Sequence, residues 1–330
     1  MTKSDEILKY LQIGINIPIW PEFHKYILHD LNYFNAQSII LENNGFPAGH
    51  ALIYSNGINT LYFGYFRVLN HDQNLISFLI DELISYAREN NFKRIMGPIN
   101  IPTVIYGWGF MKEGSSESLY VGKPVNPPIY QKLFMENKFK LKLEETSWEG
   151  PSIRINPYKL KIYDYNDYEY FNPKDLNDLR ELKKDFLRIN NEHMPESARI
   201  TPKISELFDN YADFVFTYGY KSMIFFVRYK PTGEIVGCGS NLPNPFSTDE
   251  KGNNDSIVAY TWAVSPKHRG KGLPLLMYGA TSLDLWKKGI RYTSVPTGGK
   301  ATHSFEKYAK ILNLQKKRFH LVLELKLEKD

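Results

Sequence analysis

Apolar positions along this chain change their spacing repeatedly, and the sharpest change falls near residue 265. Residues 257–264 read Ile-Val-Ala-Tyr-Thr-Trp-Ala-Val, an apolar run rich in β-branched and aromatic side chains, which suits a strand. A short basic turn with two glycines follows. From Leu273 apolar residues return at helical spacing, with Leu275, Leu276, Ala280, Leu283 and Trp286 on one face. The pattern predicts strand Ile257–Val264, a loop, helix Pro274–Lys288 and strand Ile290–Val295. Upstream, Met223–Arg228 and Glu234–Ser240 read as a hairpin closed by Lys230-Pro-Thr-Gly233. Helical periodicity over 173–190 and Ile204–Tyr211 precedes it.

The same succession occurs once before. Ser38–Glu42 and Gly49–Tyr54 flank the turn Asn43-Asn-Gly-Phe46, followed by strand Leu61–Val68, a helix over Asn74–Asn90 and a strand at Arg94–Gly97. A shift of 198 residues places Leu75 on Leu273, Phe92 on Ile290 and Pro98 on Pro296 without a gap. The likeness is one of pattern more than of identity, and it predicts a duplicated unit. A boundary is expected at Pro151–Pro157, after the strand-like Lys138–Trp148, which divides the chain into domains 1–150 and 151–330.

Length and composition agree with two globular domains: 330 residues, 42% hydrophobic and 23% charged. The single cysteine, Cys238, excludes an intramolecular disulfide, and its place in a strand reads as a small buried residue rather than a nucleophile. The first nine residues are charged, with no apolar segment of signal-peptide or membrane-spanning type after them, so a cytoplasmic protein without a membrane role is expected. Charge is uneven. Residues 1–150 hold 13 basic and 15 acidic residues; the remainder holds 28 and 21. Positive charge therefore gathers in the half that carries the basic loop. No aromatic-and-basic repeat of a nucleic-acid module appears, so nucleic acid is not an expected partner.

Within that loop, Arg269, Gly270, Lys271 and Gly272 lie where the first turn of a helix leaves backbone N–H groups without partners. The helix dipole adds positive potential, and Arg269, Lys271 and Lys267 add full charges. Pro274 falls near the first helical position, where a missing N–H costs least. The loop is suited to an anion such as a phosphate or diphosphate. At the 198-residue shift it falls on His71-Asp-Gln-Asn74, where both glycines and both firm positive charges are gone and Asp72 would repel a phosphate.

Val264-Ser-Pro266 and Arg269-Gly-Lys-Gly-Leu273, between a strand and a helix, resemble the GNAT superfamily of acyl-CoA-dependent N-acyltransferases. The duplicated layout resembles tandem members such as the N-myristoyltransferase-like and mycothiol-synthase-like proteins. Gly97-Pro-Ile-Asn100, Asn126-Pro-Pro-Ile-Tyr130 and Glu136-Asn-Lys-Phe139 look like motifs of bacterial proteins of this kind. The resemblance implies an α+β fold of two tandem GNAT-like domains, each a mixed central sheet flanked by helices. It implies a degenerate domain over 1–150 and an acyl-CoA-binding domain over 151–330. Acetyl-CoA or another acyl-CoA would be the co-substrate, with Arg269, Gly270, Lys271, Gly272 and Leu273 on its diphosphate. Ala263 and Val264 would meet pantetheine where the strand splays from its neighbour. An acyl (acetyl) group would pass to a primary amine of a small-molecule or peptide acceptor. Tyr308 matches the family's general acid, and His193, in the loop Asn190-Asn-Glu-His193-Met-Pro195, is a candidate base.

The chain departs from the family in three places. Pro274 replaces the usual Gly or Ala and removes one phosphate donor. The asparagine that normally precedes the tyrosine is missing from Ala301-Thr-His-Ser304-Phe-Glu-Lys-Tyr308, and Tyr260 and Trp262 stand where relatives carry a strand carboxylate. These departures keep open a non-catalytic acyl-CoA-binding or sensing module, and, further off, an aminoacyl-tRNA-dependent transferase. The histidines show no metal-ligand spacing, so no metal is expected.

Overall fold

The computed structural model describes residues 4–13, 18–57, 59–114, 118–193 and 207–327. They form two compact units: one comprises Met1–Thr146 with Lys317–Asp330, the other Ser147–Arg199 with Lys203–Lys316. The final segment therefore groups with the first unit, an assignment that contiguous halves did not contain.

The first unit opens with helices α1 (Ser4–Leu11) and α2 (His24–Tyr33), followed by strands β1 (Gln37–Asn43), β2 (Phe46–Tyr54) and β3 (Thr60–Val68). Helix α3 (Gln73–Glu89) leads to β4 (Arg94–Gly97), and the short α4 (Thr103–Tyr106) to β5 (Phe110–Gly114) and α5 (Ile129–Glu136). Strands β1, β2 and β3 pair antiparallel, β3 and β4 pair parallel, and β12 (Gln315–Lys326) pairs antiparallel with β4 and β5. The buried stripe of α3, Ile76, Leu79, Ile80, Leu83 and Ala87, has the spacing of one helix face and packs on this sheet. Phe134 of α5 is the hub beneath it, with ring centroids of Phe63, Phe66, Phe110 and Phe139 within 5.0 Å.

Strand β6 (Lys140–Pro151) carries the chain onward. The second unit then contains α6 (Pro157–Leu160), β7 (Tyr168–Phe171), α7 (Leu176–His193), α8 (Leu207–Tyr218), β8 (Ile224–Tyr229), β9 (Glu234–Pro243) and β10 (Ser256–Val264). Helix α9 (Leu273–Lys287), β11 (Tyr292–Gly298) and α10 (Lys300–Ile311) complete it. Its sheet runs β7-β8-β9-β10-β11, antiparallel except for the parallel pair β10 and β11. Both units are thus mixed sheets flanked by helices, the expected α+β class.

The duplication shows in how the two crossover helices end. After α3, Asn91 takes a left-handed conformation (φ 59°) and the Phe92 N–H bonds to the Ala87 carbonyl at 2.9 Å. After α9, Gly289 (φ 96°) and Ile290 repeat the arrangement, with the Ile290 N–H on the Leu285 carbonyl at 3.1 Å. Both are Schellman endings, and they stand 198 residues apart. This ending also explains why β11 starts two residues later than the apolar pattern predicts. Ile290 is buried as the hydrophobic contact of the cap, not as a strand residue.

Replacing Phe134 with Ala removes the ring on which four others converge, so a loss of about 3–5 kcal/mol is expected by chemical denaturation. A variant that unfolds at the wild-type denaturant concentration would contradict this placement of the core.

Candidate functional site

Strand β10 passes through a single 3₁₀ turn, Pro266–His268, into a loop built on two left-handed glycines, Gly270 (φ 76°) and Gly272 (φ 73°). The His268 and Arg269 amides bond back to Ser265 and Pro266, and the Leu275 and Leu276 amides close on the Gly272 carbonyl at 2.9 and 3.1 Å. Between them stand four amides, Gly270, Lys271, Gly272 and Leu273, that make no hydrogen bond among the described residues. Gly272 caps α9 without any side-chain acceptor. A run of free N–H groups across left-handed residues at a helix N-terminus is a concave anion site. Lys267, Arg269 and Lys271 are exposed around it, and Arg269 Nε reaches the Val264 carbonyl at 3.3 Å.

Two tyrosines before and at the start of β7 hold the loop from behind. The Tyr165 hydroxyl donates to the Gly272 carbonyl at 3.1 Å, and burial pushes its pKa up to about 12, so it stays a donor. The Tyr168 hydroxyl lies 3.0 Å from His268 Nδ1. Tyr163 packs flat enough on Gly272 that a Cβ there would meet its ring at 2.3 Å, so this position requires glycine for space as well as for φ.

The strand before the loop opens away from its neighbour. β10 and β11 pair only over Ser256–Val258 and Tyr292–Ser294, although β10 continues to Val264 and β11 to Gly298. A bulge between Ala259 and Thr261 inserts Tyr260 and shifts the register against β9. The Ser265 amide bonds to Val236 of β9 at 2.8 Å. By antiparallel alternation the Ala263 and Thr261 amides then face β9, while those of Val264 and Trp262 face the opened side. Ala263 itself is buried against Cys238. On the same face of β10 the Thr261 hydroxyl donates to Asn190 Oδ1, and Asn190 Nδ2 donates to the Phe186 carbonyl at 2.8 Å.

The first unit has the same framework with both openings filled. β3 and β4 pair only through Tyr62 and Met96, and a register shift in β3 again precedes the end of the strand. There the Tyr65 N–H donates to Asn100 Oδ1 at 2.7 Å, the Ile99 N–H to the Phe63 carbonyl at 2.7 Å, and the Tyr65 hydroxyl to the Ile101 carbonyl at 2.7 Å. At the mouth of α3, Asp72 accepts from the Asn74 and Leu75 amides at 2.9 and 3.1 Å. The sequence marks Asp72 as a charge that would repel phosphate. The structure shows in addition that its carboxylate occupies the amides a phosphate would need.

The remaining candidates are more dispersed. Asn190–His193, read from sequence as loop, instead continues α7 (Leu176–His193). The His193 side chain lies outside the described residues, as do Met194 and Pro195. Tyr308 sits on α10, 50% exposed, its ring 6.4 Å from Phe305, and no described hydrogen bond or ring contact joins it to β10 or the loop. Cys238 is fully buried, and burial pushes its thiol pKa far up, so no thiolate nucleophile forms there. Sequence reasoning missed Tyr163 and Tyr165, and it quoted Asn100 and Asn190 within motifs without giving either a role of its own. The density of tyrosine between 158 and 170 was the available signal for the first two. Among the described residues no group of three His, Cys, Asp or Glu could hold a metal, and no helix is long and apolar enough to cross a membrane.

No protein-family model and no curated protein matches this chain in sequence. Solved structures do match in fold. A tandem GNAT protein from the clavulanic acid biosynthesis pathway aligns over 100% of this chain and 98% of its own, with a TM-score of 0.62 at 12% identity. A GCN5-related glucosamine N-acetyltransferase region of a fungal multi-domain β-N-acetylglucosaminidase aligns over 98% of this chain and 37% of its own, with a TM-score of 0.62 at 12% identity. A GCN5-related N-acetyltransferase from Sphaerobacter thermophilus aligns over 93% of this chain and 86% of its own, with a TM-score of 0.57 at 10% identity. The fold is that of a tandem GNAT protein.

The buried thiol gives a check on the packing around β9. Ellman's reagent should fail to label Cys238 in the folded protein and should label it fully in denaturant. Rapid labelling under native conditions would contradict the burial described.

Proposed function

We propose that the chain is an acyl-CoA-dependent N-acyltransferase whose second domain, 151–330 by sequence and without its final strand in the structure, binds the co-substrate, while the first, 1–150, is a degenerate copy. One observation carries this reading: four consecutive unbonded amides, Gly270 to Leu273, ringed by exposed cations beside a strand pair that opens. The loop would hold the coenzyme's diphosphate, with Arg269 and Lys271 supplying charge. Pantetheine would enter the opening past Ala263 and Val264. The Val264 N–H, facing that opening, would meet the thioester oxygen as charge builds on it. A donor of this kind is worth about 2.7–4 kcal/mol where measured.

The reaction is direct transfer. The acceptor's neutral amine forms a C–N bond to the thioester carbonyl carbon, the C–S bond breaks, and the sulfur leaves with its electron pair. The amine's extra proton passes to a base or to water, and Tyr308 protonates the departing thiolate. His193 is the candidate base. The absence of a carboxylate on β10, where Tyr260 stacks on Tyr211 and Trp262 meets Phe225 edge-to-face, places the burden of proton removal elsewhere. The likeness to N-acetyltransferases favours acetyl-CoA as donor and a small-molecule or peptide amine as acceptor, in a cytoplasmic setting.

Incubation with acetyl-CoA and a panel of primary amines, monitored for free thiol, should show amine-dependent release. Tyr308→Phe should lower kcat by about a hundredfold with little change in KM for acetyl-CoA. Saturable coenzyme binding without thiol release for any amine would favour the sensing module instead.

A further inference from the structure

The segment 157–165 is held at both ends and yet turns an apolar surface to solvent. At its start, Asn156 Oδ1 caps α6 by accepting the Tyr158 and Lys159 amides at 3.1 and 3.3 Å. Pro157 is buried against α9, where a Cβ on Gly279 would meet its Cδ at 2.5 Å. At the far end Tyr163 lies on Gly272, and the Tyr165 hydroxyl donates to the Gly272 carbonyl. Between these anchors every residue from 158 to 164 is exposed. Tyr158, Leu160, Ile162 and Tyr163 are 58%, 45%, 63% and 40% exposed, which is four of the thirteen large apolar side chains exposed among the described residues. Such a concentration on an anchored segment marks a surface that another molecule covers.

The charges around the patch define that molecule. Lys159 and Lys161 alternate with the apolar side chains, and Lys230 stands across a cleft that Tyr158, Ile162 and Tyr163 also line. Lys267 and Lys271 continue the cations along the anion loop. All five lysines are exposed and in no ion pair among the described residues. Of the carboxylates in the cleft, Glu169 is paired with Arg228 at 2.7 Å, and Asp164 accepts the Asn166 amide at 2.9 Å. The covering surface must therefore be apolar at its centre and acidic at its rim. Leu160 and Ile162 offer no ring for a nucleic-acid base. The apolar residues come from a four-residue helix and a turn, not from the continuous amphipathic helix of a membrane anchor. A protein with an acidic face fits best.

We propose that this patch docks an acidic carrier protein bearing the acyl group on a 4′-phosphopantetheine arm, so that the donor is a carrier-bound thioester as well as acyl-CoA. This rests on the acyl-CoA reading above and deepens it by naming a second donor class. Such an arm has the phosphate, pantetheine and thioester of the coenzyme, with a protein serine in place of the nucleotide. Its phosphate would lie on the amides of Gly270 to Leu273, and its thioester in the β10–β11 opening. The carrier's body would then rest on the patch, which adjoins the loop through Tyr163. The transfer is unchanged. The amine nitrogen bonds to the thioester carbon, and the carrier's sulfur leaves with the electron pair and is protonated. The products are the amide and the carrier with a free thiol.

Calorimetric titration of the full chain with coenzyme A, and with a small acidic acyl carrier protein in its phosphopantetheinylated form, tests the docking. Wild type should bind both. Leu160→Ser combined with Ile162→Ser should weaken the carrier by about tenfold and leave coenzyme A within about twofold. Lys159→Ala combined with Lys161→Ala should weaken the carrier by about fivefold, with a shallower salt dependence than wild type. A wild type that binds coenzyme A but not the carrier would overturn the proposal and leave the acyl-CoA reading intact. So would carrier affinity unchanged in both double variants, or equal losses for both ligands. Binding of anionic lipid vesicles, lost in the same variants while carrier affinity is kept, would reassign the patch to a membrane surface. A wild type that binds neither ligand contradicts the acyl-CoA reading itself.

Discussion

An α-helix must begin with amides that have no partner inside the helix, and how this protein treats those amides separates its two units. At α9 the chain leaves the first helical amide, Leu273, and the three before it, Gly270, Lys271 and Gly272, open by passing through two left-handed glycines and offering no capping side chain. That arrangement costs conformational freedom and forgoes a cap worth about 1 kcal/mol. It persists because Tyr165 and Tyr168 brace the loop through Gly272 and His268. The openness of the site and the rigidity of its support therefore come from the same few residues.

At α3 the same framework is closed. Asp72 caps the mouth, and Asn100 fills the strand opening by accepting the Tyr65 N–H. In the first unit, donors that the framework leaves free at the α3 mouth and at Tyr65 are satisfied by side chains of the chain itself. The Schellman endings of α3 and α9 are indifferent to this divergence and keep the same spacing in both.

Much of the fold could be read from spacing alone. The strand–helix–strand crossovers, both hairpins and the 198-residue relation rest on periodicity and turn residues, which act locally. The loop of open amides was equally legible, because Gly270, Gly272 and the cations around them are close in sequence. What escaped depended on contacts between distant segments. Asn100 against Tyr65, Tyr163 against Gly272 and Asn190 against Thr261 are pairings that no window of sequence contains. The late start of β11 escaped for a related reason: Ile290 is apolar because it closes a helix, and apolarity alone does not distinguish a cap contact from a strand. Asn190–His193 was misread as loop because its residues are polar; Asn190 is polar yet buried, where it accepts the Thr261 hydroxyl.

The most direct measurement is the stoichiometry and loop dependence of coenzyme A binding by calorimetry. One site per chain, abolished by the pair Arg269→Glu and Lys271→Glu and unaffected by Asp72→Asn, is the expected result. Undiminished affinity after that charge reversal, or two equivalent sites per chain, would contradict the account.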